Sequence, residues 1–329
     1  MNWRRFDVNV NINRVPEGNF CLFDAVFIPT KGNSVRATKQ MEHIVGLNIS
    51  KKIFVIPSEV CDVPESLPDL CHNLHANFSA YVANSLTTEK SKWDLPMKRN
   101  FAINFSKDNG YLKILLIDDD IRFDSAETAY LLAKGLSMYW ISSCFSIGTV
   151  DTSLVGSVAI KCGGDSLLFI SGNCLAINLE KFTPFFPDIY NEDWLAVVPA
   201  IITNNAVLVG SVMQLERSTI DYRELASFQE FGELIADEIY GSISSHPDIN
   251  NMEDLINVLS DEILWEKAIS DRKVWLDYLQ SMDSSETTKH IIEGATNSLK
   301  KISSKKCLEF IGEWLAKRES NTDTRRGAI

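Results

Sequence analysis

Residues 114–120 read Ile-Leu-Leu-Ile-Asp-Asp-Asp, an apolar run that passes directly into three carboxylates. Four consecutive apolar residues suit a strand buried on both faces of a parallel sheet. Ending that strand in Asp118, Asp119 and Asp120 puts three like charges within about 10 Å of one another, which is unfavourable unless something positive sits there. A hard divalent cation held by oxygen is the usual remedy. Ligands of open α/β sheets lie at the carboxyl ends of strands, where these acids fall. The plainer use of acids at such a place is to cap the next helix. Ser125 and Glu127 stand closer to the start of that helix, so three further acids upstream exceed what capping needs. The triplet therefore points to a metal or cation–phosphate site.

The segments before it fit the same layout. Residues 22–33 read as a strand closed by a Pro/Gly turn, and 51–58 as a second strand with a similar ending. Between them, 34–47 has helical spacing, with Val35, Met41, Ile44, Val45 and Leu47 as its apolar residues. Strand, helix, strand at this spacing predicts a right-handed βαβ unit. A helix is predicted around 68–84, and Lys98–Asn104 leads into the acidic strand. This order is the start of a nucleotide-binding half-sheet.

With five motifs in order, the sequence resembles a GT-A glycosyltransferase, closest to the family 2-like group. They are Ile-Pro-Thr (28–30), Lys-Arg-Asn (98–100), Ile-Asp-Asp-Asp (117–120), Ser-Gly-Asn-Cys-Leu-Ala-Ile (171–177) and Asn-Glu-Asp-Trp (191–194). The resemblance covers roughly residues 20–240. The resemblance implies a mixed, mostly parallel GT-A (Rossmann-like) α/β sheet flanked by helices. It also implies transfer of a sugar from a nucleoside diphosphate to an acceptor hydroxyl with Mn²⁺ or Mg²⁺. The acid triplet corresponds to the family's DxD motif. That places Asp118 against the donor's ribose or the metal, Asp119 beside the donor, and Asp120 on the metal, which would neutralise charge on the departing diphosphate. Thr30 falls where the family packs the nucleotide, and Arg99 near the base, although a solvated arginine at a helix start is the simpler reading of Arg99. One stretch departs from the pattern. Where related enzymes carry an acid that reads uracil, this chain has Pro57-Ser58-Glu59. A UDP-sugar is the favoured donor, with its base contact unassigned.

In inverting members of that family, the acid of the Asn-Glu-Asp-Trp position deprotonates the acceptor hydroxyl. This assigns the base to Asp193, with Glu192 as its neighbour or substitute. Capping of a helix that begins near Trp194 is the alternative use of the pair. Ser171-Gly172-Asn173 corresponds to the floor of the acceptor site, where a glycine lets substrate approach the backbone. Trp194 lines an acceptor pocket or packs in the core. His246, in a loop before Pro247, matches the late histidine that many such enzymes add to the metal, or is a surface histidine.

Composition narrows the alternatives. The chain has 329 residues and a net charge of −12, which disfavours nucleic acid as main partner because phosphate binding relies on Lys and Arg. The N-terminus Met-Asn-Trp-Arg-Arg-Phe lacks the apolar core of a signal peptide. The most apolar stretch, 194–212, is broken by Pro199, Asn204 and Asn205, and reads as a buried helix and strand rather than a membrane span. Seven cysteines without a Cys-x-x-Cys pair suit reduced thiols in a cytoplasmic protein, one that is free or peripheral at a membrane. Cys61, Cys71, His72 and His75 do not have structural-zinc spacing. No Gly-x-x-x-x-Gly-Lys-Ser/Thr loop is present, which disfavours P-loop hydrolysis. An acid-pocket phosphatase would need Thr or Val where Arg122 stands.

From about 221 the pattern becomes helical. Leu225, Phe228, Phe231, Leu234, Ile235 and Ile239 recur at helical spacing, as do Leu255, Ile256, Leu259, Ile263 and Leu264 after a cap-like Asn251. Further helices are predicted near 287–302 and 305–317, with aromatics at 265, 275, 278, 310 and 314 as packing core and Arg318–Ile329 as a fraying end. The expected organisation is a catalytic domain over 1–220 and a helical extension over 221–329. The competing functions are a nucleotidyltransferase, which uses the same metal and diphosphate, and a non-catalytic scaffold that keeps the fold.

Overall fold

Runs of apolar and β-branched residues build the strands, and Ala25–Thr30, Ile53–Pro57 and Cys174–Asn178 are buried along their whole length. The computed structural model describes residues 21–32, 34–58, 71–84, 94–147, 153–164, 170–215 and 221–323. The first part of the chain holds β1 (Ala25–Thr30), α1 (Ser34–Leu47), β2 (Ile53–Pro57), β3 (Cys71–Asn73), α2 (His75–Asn84), α3 (Leu95–Asp108) and β4 (Lys113–Ile117). Then come β5 (Ile121–Arg122), α4 (Ala126–Met138), β6 (Ile141–Ile147), α5 (Leu154–Lys161), β7 (Cys174–Asn178), α6 (Glu192–Ile202) and β8 (Ala206–Gln214). The last part is helical: α7 (Tyr222–Ser245), α8 (Met252–Leu259), α9 (Glu262–Met282), α10 (Glu286–Leu299) and α11 (Ser304–Asp323).

The strands form one mixed sheet in the order β3-β2-β1-β4-β7-β6-β8-β5. β7 runs antiparallel to both β4 and β6, β5 runs antiparallel to β8, and the remaining neighbours are parallel. This is the mostly parallel α/β sheet with a helical C-terminal part that the sequence leads one to expect. The chain moves outward from β1 to β3, then returns to place β4 on the other side of β1. That reversal opens a crevice at the carboxyl ends of β1 and β4, the place where open α/β sheets bind ligands.

Period-two alternation sorts the strands' side chains into two layers. Val26, Ile28, Leu115 and Ile117 face one way, against Met41 and Ile44 of α1 and Leu132 of α4. Phe27, Ile114 and Leu116 face the other way, against Phe78, Phe101 and Val197. A third core joins the helical part to the sheet domain. Leu195 and Val198 of α6 and Val155 of α5 share it with Leu234, Ile239, Leu255, Trp265, Leu276, Ile291 and Trp314.

The structure corrects three local expectations. The helix expected from 68 starts later, because Cys71–Asn73 pairs in parallel with Ile53–Val55 as an edge strand. The Asn73 side chain then accepts a hydrogen bond from the His75 backbone N–H, at 2.8 Å, and turns the chain into α2. Trp275 and Tyr278 are not core. They are 39% and 48% exposed and stack on each other, while Trp265 and Trp314 are buried as expected. α11 continues to Asp323 instead of fraying from Arg318. Among the described residues no helix is long and apolar enough to cross a membrane. The readings placed on residues 1–6, Glu59, Cys61 and 324–329 fall outside the described residues.

Candidate active site

The alternation that builds the two layers also distributes the three acids. Asp118 has the parity of Leu116 and turns toward α3 and α6. Asp119 has the parity of Ile117 and turns toward the end of β1. Thr30 Oγ1, at the last residue of β1, donates to Asp119 Oδ2 at 2.5 Å, so the crevice between β1 and β4 is closed by a side-chain hydrogen bond. Asp120 is 4% exposed and lies against β8, where Gln214 Nε2 donates to its Oδ2 at 3.4 Å.

Arg99 joins the acid triplet to α6. It comes from the first turns of α3 and is 3% exposed. Nη2 donates to Asp118 Oδ1 at 3.2 Å, and Nη1 donates to Glu192 Oε1 at 2.6 Å. The guanidinium also faces the Phe186 ring, 5.8 Å from its centroid. The solvated-arginine reading is therefore overturned. Burial opposes its charge, but Asp118, Glu192 and Asp193 outweigh burial and hold its pKa above the ordinary value. Lys98, one residue earlier, is 2% exposed and spends its three protons on Thr30 O (2.7 Å), Ser58 Oγ (2.5 Å) and Asp94 Oδ1 (2.9 Å). Burial pushes its pKa down, and Asp94 and Asp119 pull it back up.

Glu192 and Asp193 form the first turn of α6, where acids suit the helix dipole as the capping alternative requires. The N-cap position is Asn191, in the left-handed region at φ 63°. Glu192 is 3% exposed, and burial pushes its carboxyl up to about 8; Arg99 pulls it down and Asp193 adds to the rise. Asp193 is half-buried. Its Oδ2 accepts from Gly172 N at 2.6 Å, and its Oδ1 accepts from Trp194 N at 3.0 Å. A Cβ on Gly172 would lie 2.6 Å from both Arg99 Nη1 and Asp193 Cβ. The absence of a side chain at this position lets Arg99 and Asp193 pack against the backbone. Trp194 is half-buried against Tyr240, whose hydroxyl donates to Trp194 O at 3.0 Å.

Several contributors carry no strong local signal in the sequence. Asn191 Nδ2 donates to Glu233 Oε1 at 2.8 Å, and Ser153 Oγ donates to Glu233 Oε2 at 2.8 Å. Glu233 lies on α7, beside Arg272 of α9, which holds Glu230 through two bonds at 2.8 and 3.0 Å. The helical extension thus fixes the turn on which Glu192 and Asp193 stand. Gln40 of α1, fully buried, donates through Nε2 to Asp118 O at 3.2 Å and accepts from Arg122 Nη1. Its one hint is a polar residue in the apolar stripe Ala37, Met41, Ile44. Gln214 and Glu233 depend on contacts between elements distant in sequence.

His246 stands apart. It is exposed at the end of α7, and its Nδ1 contacts Ser242 O at 3.0 Å and Ser245 Oγ at 3.2 Å. Among the described residues no three His, Cys, Asp or Glu side chains are grouped closely enough to hold a metal on their own. Mg²⁺ and Mn²⁺ sites that take one or two carboxylates and complete their shell with phosphate oxygens and water do not need such a group. The donor set at the end of β4 is all oxygen, which suits those ions. Two observations fit a cation there. Burial raises the Asp119 pKa and the Asp120 charge adds to it, against the Thr30 hydrogen bond. Beside Asp120, the buried Gln214 Oε1 has no hydrogen-bond partner.

No protein-family model matches the sequence, and neither does any curated protein. Solved structures show a distant likeness. The mannosyltransferase PcManGT from Pyrobaculum calidifontis, in complex with GDP-Man and Mn²⁺, is 14% identical with a TM-score of 0.44, over 84% of this chain and 86% of its own. A glucosyl-3-phosphoglycerate synthase from Mycobacterium tuberculosis, with Mn²⁺, UDP and glucosyl-3-phosphoglycerate, is 14% identical with a TM-score of 0.41, over 59% and 72%. The same enzyme with phosphoglyceric acid is 13% identical at 0.44, over 67% and 80%. Likenesses of this size are of outline, and the chemistry of the site rests on its own residues.

Proposed function

We propose that this chain is a metal-dependent glycosyltransferase of the GT-A type. It would move a sugar from a nucleoside diphosphate to an acceptor hydroxyl, with inversion. The observation that carries the reading is the crevice at the carboxyl ends of β1 and β4, where Thr30 and the acid triplet meet at the reversal of strand order. The metal would be held by Asp120, with Gln214 Oε1 beside it and Asp118 reaching it directly or through the donor's ribose. When bound, such an ion neutralises charge on the departing diphosphate. Thr30 and Asp119 line the donor side.

Arg99 has both terminal amino groups engaged by carboxylates, so its role is to orient Asp118 and Glu192 and not to read the base. Glu192 is sealed behind that ion pair. Asp193 is the more exposed of the two acids, and backbone N–H groups aim it, so it is the base that takes the acceptor's proton. The nucleobase, favoured as uracil, and the acceptor are not assigned by these residues, and His246 takes no part. A cytoplasmic placement goes with this reading.

The test separates binding from turnover. Asp193→Asn should keep metal-dependent nucleotide affinity and lose transfer by roughly 10²-fold or more. Equal loss of both would place Asp193 on the donor side or in the structure.

A further inference from the structure

α7 buries Gln229, Glu230 and Glu233 on one face, where apolar side chains would pack without desolvating a charge. Glu230 takes two bonds from Arg272 of α9, and Gln229 Oε1 accepts from Leu154 N at 3.0 Å. Glu233 is bound differently. Arg272 Nη2 stands 3.7 Å from its Oε2, beyond hydrogen-bond length. Each carboxylate oxygen instead takes a donor from a different helix start. Oε2 accepts at 2.8 Å from Ser153 Oγ, the N-cap of α5, which itself accepts from Gly156 N at 2.9 Å. Oε1 accepts at 2.8 Å from Asn191 Nδ2, the N-cap of α6.

The second of these contacts bears on the site. An N-cap side chain ordinarily accepts from an N–H of its own first turn. Asn191 makes no such bond; it stands in left-handed backbone and gives its amide to α7. The residues that follow it are Glu192 and Asp193. α7 also touches the chain on both sides of Asn191. A Cβ at Gly232 would stand 2.0 Å from Tyr190 O, and the Tyr240 hydroxyl donates to Trp194 O at 3.0 Å. Those two contacts fix how closely the helices lie. The bond from Asn191 to Glu233 is the one made by the residue whose backbone torsions direct the first turn of α6. Asp193, two residues on, is held at its other end by Gly172 N, 2.6 Å from Oδ2. Misplacing a reacting group by about 1 Å can slow a reaction about 10²-fold, so a side chain that sets this turn matters to turnover without touching substrate.

We propose that Glu233 is a positioning residue for the transfer: through Asn191 it aims Asp193 at the acceptor. This rests on the reading of Asp193 as the base.

The test compares three measurements on the full chain. They are nucleotide release from UDP-glucose and GDP-mannose with Mn²⁺ and water as acceptor, the affinity for UDP and GDP with Mn²⁺, and hydrogen exchange at the Gly172 amide. Asn191→Gly keeps the left-handed backbone and removes the amide. Glu233→Leu removes the carboxylate and keeps its bulk. Each should slow release at least about ten-fold, speed Gly172 exchange by a like factor and leave nucleotide affinity within about two-fold of wild type. Glu233→Gln still offers Oε1 to Asn191 and should restore both release and exchange. Wild-type release and exchange in Asn191→Gly would overturn the proposal. So would a loss of nucleotide affinity equal to the loss of release, or a Gln variant as impaired as the Leu variant. The exchange arm needs no donor, so it decides whether Glu233 aims Asp193 even if neither sugar nucleotide is turned over. Asp193→Asn separates this proposal from the reading beneath it. Release at the wild-type rate in that variant refutes Asp193 as the base, whereas slow release there beside wild-type release in Asn191→Gly refutes the positioning role alone.

Discussion

Glu192 offers the sharpest test of the site as built, because burial and ion pairing pull its carboxyl in opposite directions. Its side chain is 3% exposed, and its pKa stands at about 8 against an ordinary 4.5, even with Arg99 at 2.6 Å. A carboxyl whose pKa is raised on folding stabilises the fold fully below pH 4.5 and loses that contribution as pH climbs through about 8. Between these values the folded state keeps a proton that the unfolded chain has released. The whole rise is worth about 5 kcal/mol, and the steepest slope is about 1.4 kcal/mol per pH unit. Glu192→Gln keeps an oxygen for Arg99 Nη1 and removes the titration. Urea unfolding of both proteins at several pH values gives the difference in stability, in which every other titrating group largely cancels. The wild-type advantage should shrink by about 3 kcal/mol between pH 5 and 7.5. A difference that stays constant over that range would mean that Glu192 is ionised throughout. The ion pair with Arg99 would then outweigh burial, and the argument from desolvation would fail.

Two further outcomes follow from the same contacts. Asp120→Asn should abolish the Mn²⁺-dependent stabilisation of the chain by a nucleoside diphosphate, read by thermal shift; stabilisation that survives unchanged would remove Asp120 from the metal. It should also raise the melting temperature without metal, since one of two adjacent like charges is gone. Gly172→Ala should push Arg99 and Asp193 off their positions, since its Cβ would stand 2.6 Å from each. Expected are a destabilisation of about 1–3 kcal/mol and a loss of turnover larger than the loss of nucleotide affinity; wild-type turnover would show that the Asp193 geometry does not matter.

The sheet was legible wherever the signal was local. The apolar run 114–117 and its acids, the helix at 34–47 and the Asn251 cap all lie where the sequence predicts them, because periodicity and capping are properties of neighbouring residues. Asn251 accepts from Asp254 N at 3.0 Å, three residues on, as a cap-like start requires. β3 was not legible, since a three-residue edge strand is defined by its partner β2 and not by its own pattern. For the same reason the stacked pair Trp275–Tyr278 has the spacing of core residues while facing solvent. The acids of the candidate site could be picked out one by one, but their pairings could not. Strand parity sends Asp118 and Asp119 to opposite layers, and only the assembled sheet shows that Arg99 waits on one side and Thr30 on the other.

Glu233 shows why the helical extension belongs to any account of the site. Two lone pairs of its carboxylate hold Asn191 and Ser153 at 2.8 Å each. Asn191 is the left-handed residue that sets the direction of α6, and the next two residues are Glu192 and Asp193. Close packing leaves this turn little freedom. A Cβ at Gly232 would lie 2.0 Å from Tyr190 O, so α7 presses on the backbone immediately before the turn. Arg272 offsets the charge of Glu230 and Glu233, buried on α7, and of Asp237, and its own place on α9 ties them to the extension's core. A rearrangement of α7 against α9 would therefore reach Asp193 through Asn191. Asp118, at the end of β4, meets the same turn through Arg99, which donates to both Asp118 and Glu192. The end of β4 and the first turn of α6 thus rest on different parts of the molecule, and the Arg99 bridge between Asp118 and Glu192 holds the two in register.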